Sequence, residues 1–327
     1  MNNIQLIKTI YSLYYPESKK ITKDLFNNPN SLKFYEKSFT EPKVQTESHI
    51  KFKEAWLKWA SPQVSGLDEF YFYNTAGSSE AIRDSLANLK AEGCENIFVF
   101  KGEYEGFKAL AESYKLNVIE INRQDFLNIP FNSLNGVFYI SQPSSIDGNI
   151  WKDFDIFVDF IKNTQNSCKI RLDLCYLGTT VTPLKLNLNH SNIDMVFFSL
   201  SKVFGVYFHR IGGVFSREKI LCLEGNKWFK NLLSLYLGIE LLTTYNIDYI
   251  PKKYLTYQND IIYFLNLKYP NINFIASDVI FLAYSNSNNF EQKYPDLKNM
   301  KRHVDLSHYR YCLTPLMDYL INNKGTL

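Results

Sequence analysis

The chain has only five cysteines in 327 residues, Cys94, Cys168, Cys175, Cys222 and Cys312. Their odd number and the absence of any CxxC spacing exclude a disulfide framework and a cysteine-based zinc site, so no metal is expected. No stretch approaches the ~18 consecutive apolar residues of a membrane span, and the first residues lack a basic leader followed by an apolar run and a cleavage site. A soluble, cytoplasmic protein is expected, with no membrane partner. The net charge is only +3 and no basic block stands out, which argues against nucleic acid as the partner. Neither a Walker spacing nor a G-x-G-x-x-G occurs where a phosphate-binding turn is expected, so a nucleotide is disfavoured. Internal repeats and low-complexity tracts are also missing.

What remains is an ordinary globular composition, 46% hydrophobic and 21% charged, in a chain long enough for one large α/β domain with an appendage or for two domains. An amphipathic helix is expected over 49–60. Seven short apolar runs follow, at 70–73, 97–100, 117–121, 136–140, 169–173, 194–199 and 212–215, with helices expected at 79–91, 105–114 and 153–162. Strands alternating with helices in this way predict an α/β fold with a mostly parallel sheet covered on both faces. After about residue 220 the pattern changes to helices at 227–245 and 253–268, a strand pair near 274 and 279–284, a polar segment over 285–305 and a closing helix from about 313. We expect a large domain over 45–240 and a smaller α+β lobe formed by 1–44 together with 241–327.

In an open parallel sheet, ligands bind beyond the carboxyl ends of the strands, and each unusual cluster of this chain lies there. Asn74-Thr75-Ala76-Gly77-Ser78-Ser79-Glu80 offers a tight turn, hydroxyls and a helix start suited to a phosphate; a plain helix cap is the alternative. In Gly102-Glu103-Tyr104-Glu105-Gly106-Phe107 an aromatic can either stack on a planar ligand or pack on its own helix. Ser141 to Asn149 is a polar loop that also reads as an ordinary turn. Asp173, in Asp173-Leu174-Cys175-Tyr176, ends an apolar run and needs a cationic or N–H partner, unless it caps a helix. The fifth cluster, Ser199-Leu200-Ser201-Lys202, continues through Gly205 to Arg210-Ile211-Gly212-Gly213.

That fifth cluster resembles the cofactor-lysine motif of the class I/II aminotransferases, the fold type I pyridoxal-phosphate-dependent enzymes, and the other clusters match the family in order. The resemblance spans residues 70 to 215 and recurs near the C-terminus. It implies pyridoxal 5′-phosphate as cofactor on a three-layer, seven-stranded, mostly parallel sheet, with Lys202 as the Schiff-base lysine. It also implies that Ser199 and Arg210 hold the phosphate with Gly77, Ser78 and Ser79, that Tyr104 stacks on the ring, that Asp173 pairs with the pyridine nitrogen and that Tyr176 bonds the 3-oxygen. Arg310, in Tyr309-Arg310-Tyr311-Cys312, resembles the family's late arginine for a substrate carboxylate. The family's two-fold dimer implies a tyrosine lent by a partner. Tyr35 lies about the right distance before Gly77 to match it; Tyr14, Tyr15 and Phe34 are neighbouring choices, and packing within the arm is the other reading.

One departure stands out. The family usually has Pro-Asn-Asn-Pro-Thr-Gly where this chain has Pro143-Ser144-Ser145-Ile146-Asp147-Gly148, so Ser145 stands where an Asn helps to bind the 3-oxygen. A hydroxyl has one donor in place of the amide's two. What the resemblance implies is therefore an enzyme acting on an α-amino acid or related amine, with transamination to a keto acid as the leading expectation. A decarboxylase, lyase, cyclase or oxidase on the same fold is the second expectation, and a non-catalytic protein that keeps the fold the third.

Overall fold

The computed structural model describes residues 6–7, 13, 15–128, 136–163, 168–225, 227, 231–286 and 290–323. Its centre is a seven-stranded sheet of β1 (Tyr71–Thr75), β2 (Asn96–Phe100), β3 (Asn117–Ile121), β4 (Val137–Ser141), β5 (Lys169–Asp173), β6 (Ile193–Ser199) and β7 (Gly212–Ser216). The spatial order is β1-β7-β6-β5-β4-β2-β3. The pairs from β6 across to β3 are parallel, whereas β7 runs antiparallel to both β1 and β6. All seven expected strands are present, each within two residues of its expected ends.

The strand sequences explain why both faces are covered. Ile97 and Val99 point into one apolar cluster, Phe98 and Phe100 into the other; Val137 and Tyr139 separate from Phe138 and Ile140 in the same way. A two-residue alternation with both sets apolar forms a strand buried on both sides. On one face lie helices Ser78–Ala91 and Glu105–Ser113, which supply Ile82, Leu86 and Phe107. Helix Lys43–Ala60 covers the other face, where Trp56 stacks on Phe198 at 4.4 Å and meets Phe215 at 5.0 Å between ring centres. This helix starts six residues before its expected beginning, because Val44 and Ser48 are buried as well.

The remaining chain forms a small antiparallel sheet of β8 (Ile275–Ala276), β9 (Leu282–Ser285) and β10 (Tyr309–Cys312), with helices Tyr249–Lys268 and Thr314–Asn322. The third strand, β10, was not expected from the sequence. Residues Pro16–Asn27 and Pro29–Ser38 are helices, and the first of them is tied to the C-terminal part by Glu17, which pairs with Lys253 and accepts a bond from the Tyr254 hydroxyl at 2.8 Å. Cys312 N–H donates to the Ile7 carbonyl at 3.0 Å. The loop after β4 joins the two parts, since Val279 N–H donates to Gly148 O and Asp278 N–H to Asn149 Oδ1, each at 3.0 Å. No helix among the described residues is long and apolar enough to cross a membrane.

Candidate active site

A cavity of about 230 Å³ opens beyond the carboxyl ends of β1, β2, β4, β5 and β6. Ser78, Ser79, Tyr104, Ser145, Asp173, Tyr176, Ser199, Lys202, Arg210 and Arg310 all line it. Gly77 stands directly behind this wall. Residues separated by more than two hundred positions thus converge on one space, as the strand-end rule predicts.

One end of the cavity is a cluster of hydroxyls around a helix start. Gly77, with φ +81°, is the N-cap of helix Ser78–Ala91, and no side chain caps that helix. The cap reading of Ser78 and Ser79 therefore gives way to another: they are the first helical residues, and the uncapped N–H groups beside them favour an anion. A Cβ at position 77 would lie 2.8 Å from Arg210 Nη2 and 3.3 Å from Ser199 Oγ, so only glycine leaves that cradle open. Arg210 donates through Nη2 to Ala76 O at 2.7 Å, and Ser199 Oγ donates to Ser201 Oγ at 3.0 Å. Arg210 itself takes a left-handed backbone, φ 53°, which turns the chain back into β7. Gly205, within the lysine cluster, is required by close approach: a Cβ there would come within 1.7 Å of Leu13 O.

Lys202 is largely enclosed, and burial pulls its amine below the usual lysine range, with the Arg310 and Arg210 charges acting in the same direction. Its Nζ lies 5.9 Å from the centre of the Tyr207 ring. A lysine in that setting has a larger neutral fraction near neutral pH and is a better nucleophile. Tyr104 borders the same space from the end of β2, and its ring meets Phe107 edge-on at 5.4 Å. Stacking and packing are therefore both open to it.

Asp173 is buried, and its Oδ1 has no hydrogen-bond partner among the described residues. Burial pushes its carboxyl up to about 7, the nearby Glu103 adds to the shift, and donation from Cys175 and Ser78 pulls the other way. A buried orphan acceptor is costly and calls for a donor. Tyr176 is buried too, and desolvation holds its phenol above the usual range despite the opposing Arg310 charge.

Ser145 lines the cavity, and its hydroxyl donates to Glu103 Oε2. Glu103 also accepts from Ser141 Oγ at 2.6 Å, Tyr104 N–H at 3.0 Å and, through Oε1, Ser141 N–H at 3.2 Å. A buried carboxylate must collect such donors, and Ser145 is one of them. The Ser145 N–H is used by Ser141 Oγ at 2.9 Å and its carbonyl by Arg310 Nη1.

Glu103, Ser201, Tyr207 and Arg302 received no role from sequence. Glu103 and Ser201 stand inside clusters that were noticed, so their polarity at a strand end was a usable signal. Arg302 lies in the polar 285–305 segment and carries no motif. The arginine expected for a substrate, Arg310, is on β10, buried and part of the wall. Tyr35 is exposed on helix Pro29–Ser38, against Phe39. Tyr15 is buried on Tyr254 and Phe34 stacks on Tyr236 at 4.7 Å, so Tyr35 is the exposed member among the described residues of the set. Tyr14 lies outside the described residues.

No protein-family model and no curated protein matches the sequence. Solved structures do match the fold. Histidinol-phosphate aminotransferase from Clostridium acetobutylicum is similar with a TM-score of 0.70 at 16% identity, over 96% of this chain and 98% of that one. L-threonine-O-3-phosphate decarboxylase from Porphyromonas gingivalis gives 0.67 at 15% identity, over 99% and 100%. A pyridoxal-phosphate-bound C-S lyase from Staphylococcus hominis gives 0.66 at 13% identity, over 84% and 81%. The chain has the fold of the class I/II aminotransferase-like, fold type I pyridoxal-phosphate-dependent enzymes.

Proposed function

We propose that the protein is a pyridoxal-phosphate-dependent enzyme acting on an α-amino acid or related amine, with transamination to a keto acid as its reaction. The observation that carries this reading is the placement of Lys202 and the orphaned, buried Asp173 Oδ1 in one cavity whose far end is an uncapped helix start. The donor set fits the cofactor. Ser78, Ser79, Ser199, Ser201 and Arg210 would hold its phosphate, Arg210 supplying fixed charge. Asp173 would keep a proton on the pyridine nitrogen, Tyr104 would lie against the ring and Tyr176 would donate to the 3-oxygen. When bound, the cofactor supplies an electron sink for charge left on the substrate α-carbon. Lys202 would hold the cofactor aldehyde through its amine and would be the group that moves a proton at that carbon. Arg310 would hold the substrate carboxylate. Tyr35 is the residue we assign to a partner's phosphate in a homodimer.

A second reading, a decarboxylase, lyase, cyclase or oxidase on the same fold, is favoured by Ser145, whose proton is committed to Glu103. Contacts at the 3-oxygen tune the chemistry while the fold does not choose which bond breaks. The test is spectral. Protein mixed with pyridoxal phosphate should acquire a visible chromophore that Lys202→Ala lacks, and an amino-acid panel should convert it to the amine form. A colourless protein that takes up no cofactor sinks both readings. Release of carbon dioxide, or of ammonia without a keto acid, selects the second.

A further inference from the structure

We propose that Gly106 is a positioning residue of the site, seating the Tyr104 ring where it meets the cofactor; this rests on the pyridoxal-phosphate reading. The 102–107 cluster contains this second residue, which the proposed function does not use. The backbone does not explain it. Gly106 is the second residue of helix Glu105–Ser113, and its φ is not positive. By helix propensity alone, alanine would serve better there.

What a side chain at 106 would meet is Tyr104. A Cβ built there lies 2.4 Å from both Cε1 and Cζ of that ring and 2.7 Å from its hydroxyl oxygen. Non-bonded carbons settle at roughly 3.5–4.0 Å, so the phenol end of Tyr104 occupies the space that any other residue would fill. The cause is local. Tyr104 is the N-cap of this helix, and a side chain at that position reaches back over the first turn, where a Ser or Asp would accept from a backbone N–H. Here an aromatic ring takes that place and makes no cap bond. Phe107, buried in the same turn, meets the ring edge-on at 5.4 Å and 81°.

The ring is thus held against its own helix while it also borders the cavity, from which Tyr104 keeps 39% of its surface exposed. Packing on the helix and stacking on a ligand are then one arrangement, with Gly106 behind the ring. A methyl group at 106 would push the phenol end by an ångström or so to reach ordinary contact. Tyr104 can move that far because it is a partly exposed side chain, so the fold survives and the ring's place in the cavity does not.

The experiment measures cofactor affinity and the visible circular dichroism of the bound chromophore for wild type, Gly106→Ala, Tyr104→Ala and the double variant, with urea unfolding of each cofactor-free protein alongside. Gly106→Ala should leave the unfolding midpoint unchanged or higher, because the helix gains. Cofactor should nevertheless bind about tenfold more weakly, the fold-change worth one aromatic contact, and the dichroism of the saturated protein should change. In the Tyr104→Ala background the same substitution should alter neither. Wild-type affinity and dichroism in Gly106→Ala overturn the inference. Equal weakening with and without Tyr104 also overturns it and puts the role of Gly106 in the helix start itself. Where Gly106→Ala does not fold, the double variant decides: affinity equal to that of Tyr104→Ala supports the seat, and a further loss overturns it. A wild type that takes up no cofactor removes the pyridoxal-phosphate reading and this inference with it, whereas uptake that ignores the 104 and 106 pair removes only the role of Gly106.

Discussion

The two ends of the cavity are built from different materials. Around Gly77, neutral hydroxyls, helix N–H groups and one arginine come from two short segments, 77–79 and 199–210, brought together by the antiparallel β1, β7 and β6 strands. Elsewhere in the wall Glu103, Asp173, Arg302 and Arg310 are buried charges or potential charges drawn from four separate segments, and Ser78 bridges to them by donating to Asp173. The first end stays open through backbone geometry, so its cost is conformational and sits in one glycine. The second end buries ionisable groups among neutral donors and acceptors, so its cost is desolvation, and it shows in the displaced Asp173 and Arg302.

The largest effect expected from breaking this contrast is at the charged end. Asp173→Asn should lower turnover about 10³-fold, within the range for loss of a positioned acid–base group, while the protein still takes up cofactor through its Gly77 end. Loss of uptake instead would show that the charged end also carries affinity. The same variant isolates the cost of burial. The Asp173 carboxyl rises from an ordinary 3.8 to about 7 in the fold, a shift worth on the order of 4 kcal/mol. Between these values the folded chain keeps a proton that the unfolded chain has released. Its stabilising share is therefore full below about pH 4 and is lost as the pH climbs through 7. Urea unfolding of the cofactor-free protein from pH 5 to 8 should show wild type losing stability relative to Asp173→Asn; parallel curves would mean that the carboxyl is not desolvated as described.

At the Gly77 end the expected effect is smaller. Gly77→Ala forces an alanine into φ +81° and its Cβ toward Arg210 Nη2. A strain of about 2 kcal/mol weakens cofactor binding roughly thirtyfold. Ser78→Ala, which removes one hydroxyl and no geometry, should cost about 1 kcal/mol. Cofactor titration of the two variants orders them, and a larger loss for Ser78→Ala would show that the hydroxyl matters more than the turn.

The same contrast explains what the sequence revealed. The Gly77 end was legible because its parts are contiguous: a Gly-Ser-Ser after an apolar run and a Ser-x-x-Lys before Gly205 and Arg210 each carry their partners with them. The sheet was legible for a related reason, since strands such as Ile97-Phe98-Val99-Phe100, apolar on both faces, declare themselves. The charged end was legible only where a charge followed a strand, as at Asp173. Strand β10 hid because Tyr309-Arg310-Tyr311-Cys312 places an arginine at a position that is buried, against the usual apolar pattern. Arg302 hid because its bonds run two hundred residues back to Gly102. The partner of Ser145 hid for the same reason, since its acceptor is Glu103, forty-two residues earlier.

Glu103→Gln tests whether that distant acid controls the charged end or merely fills it. The amide oxygen can still accept from the Ser141 and Ser145 hydroxyls, while the Ser141 N–H loses its acceptor at Oε1 and the charge beside Asp173 disappears. Because the Glu103 charge raises the Asp173 carboxyl, its removal should move the pH-dependent loss of stability to lower pH. The exchange of charge-assisted for neutral bonds costs about 1 kcal/mol, so turnover should change by less than about tenfold, the smallest effect of the set. Unfolding curves for wild type, Glu103→Gln, Asp173→Asn and the double variant close a thermodynamic cycle. Additive shifts would mean that the two carboxyls do not interact and that Glu103 serves the 141–145 loop alone. A Glu103 effect that vanishes in the Asp173→Asn background would show that the two acids act as one unit.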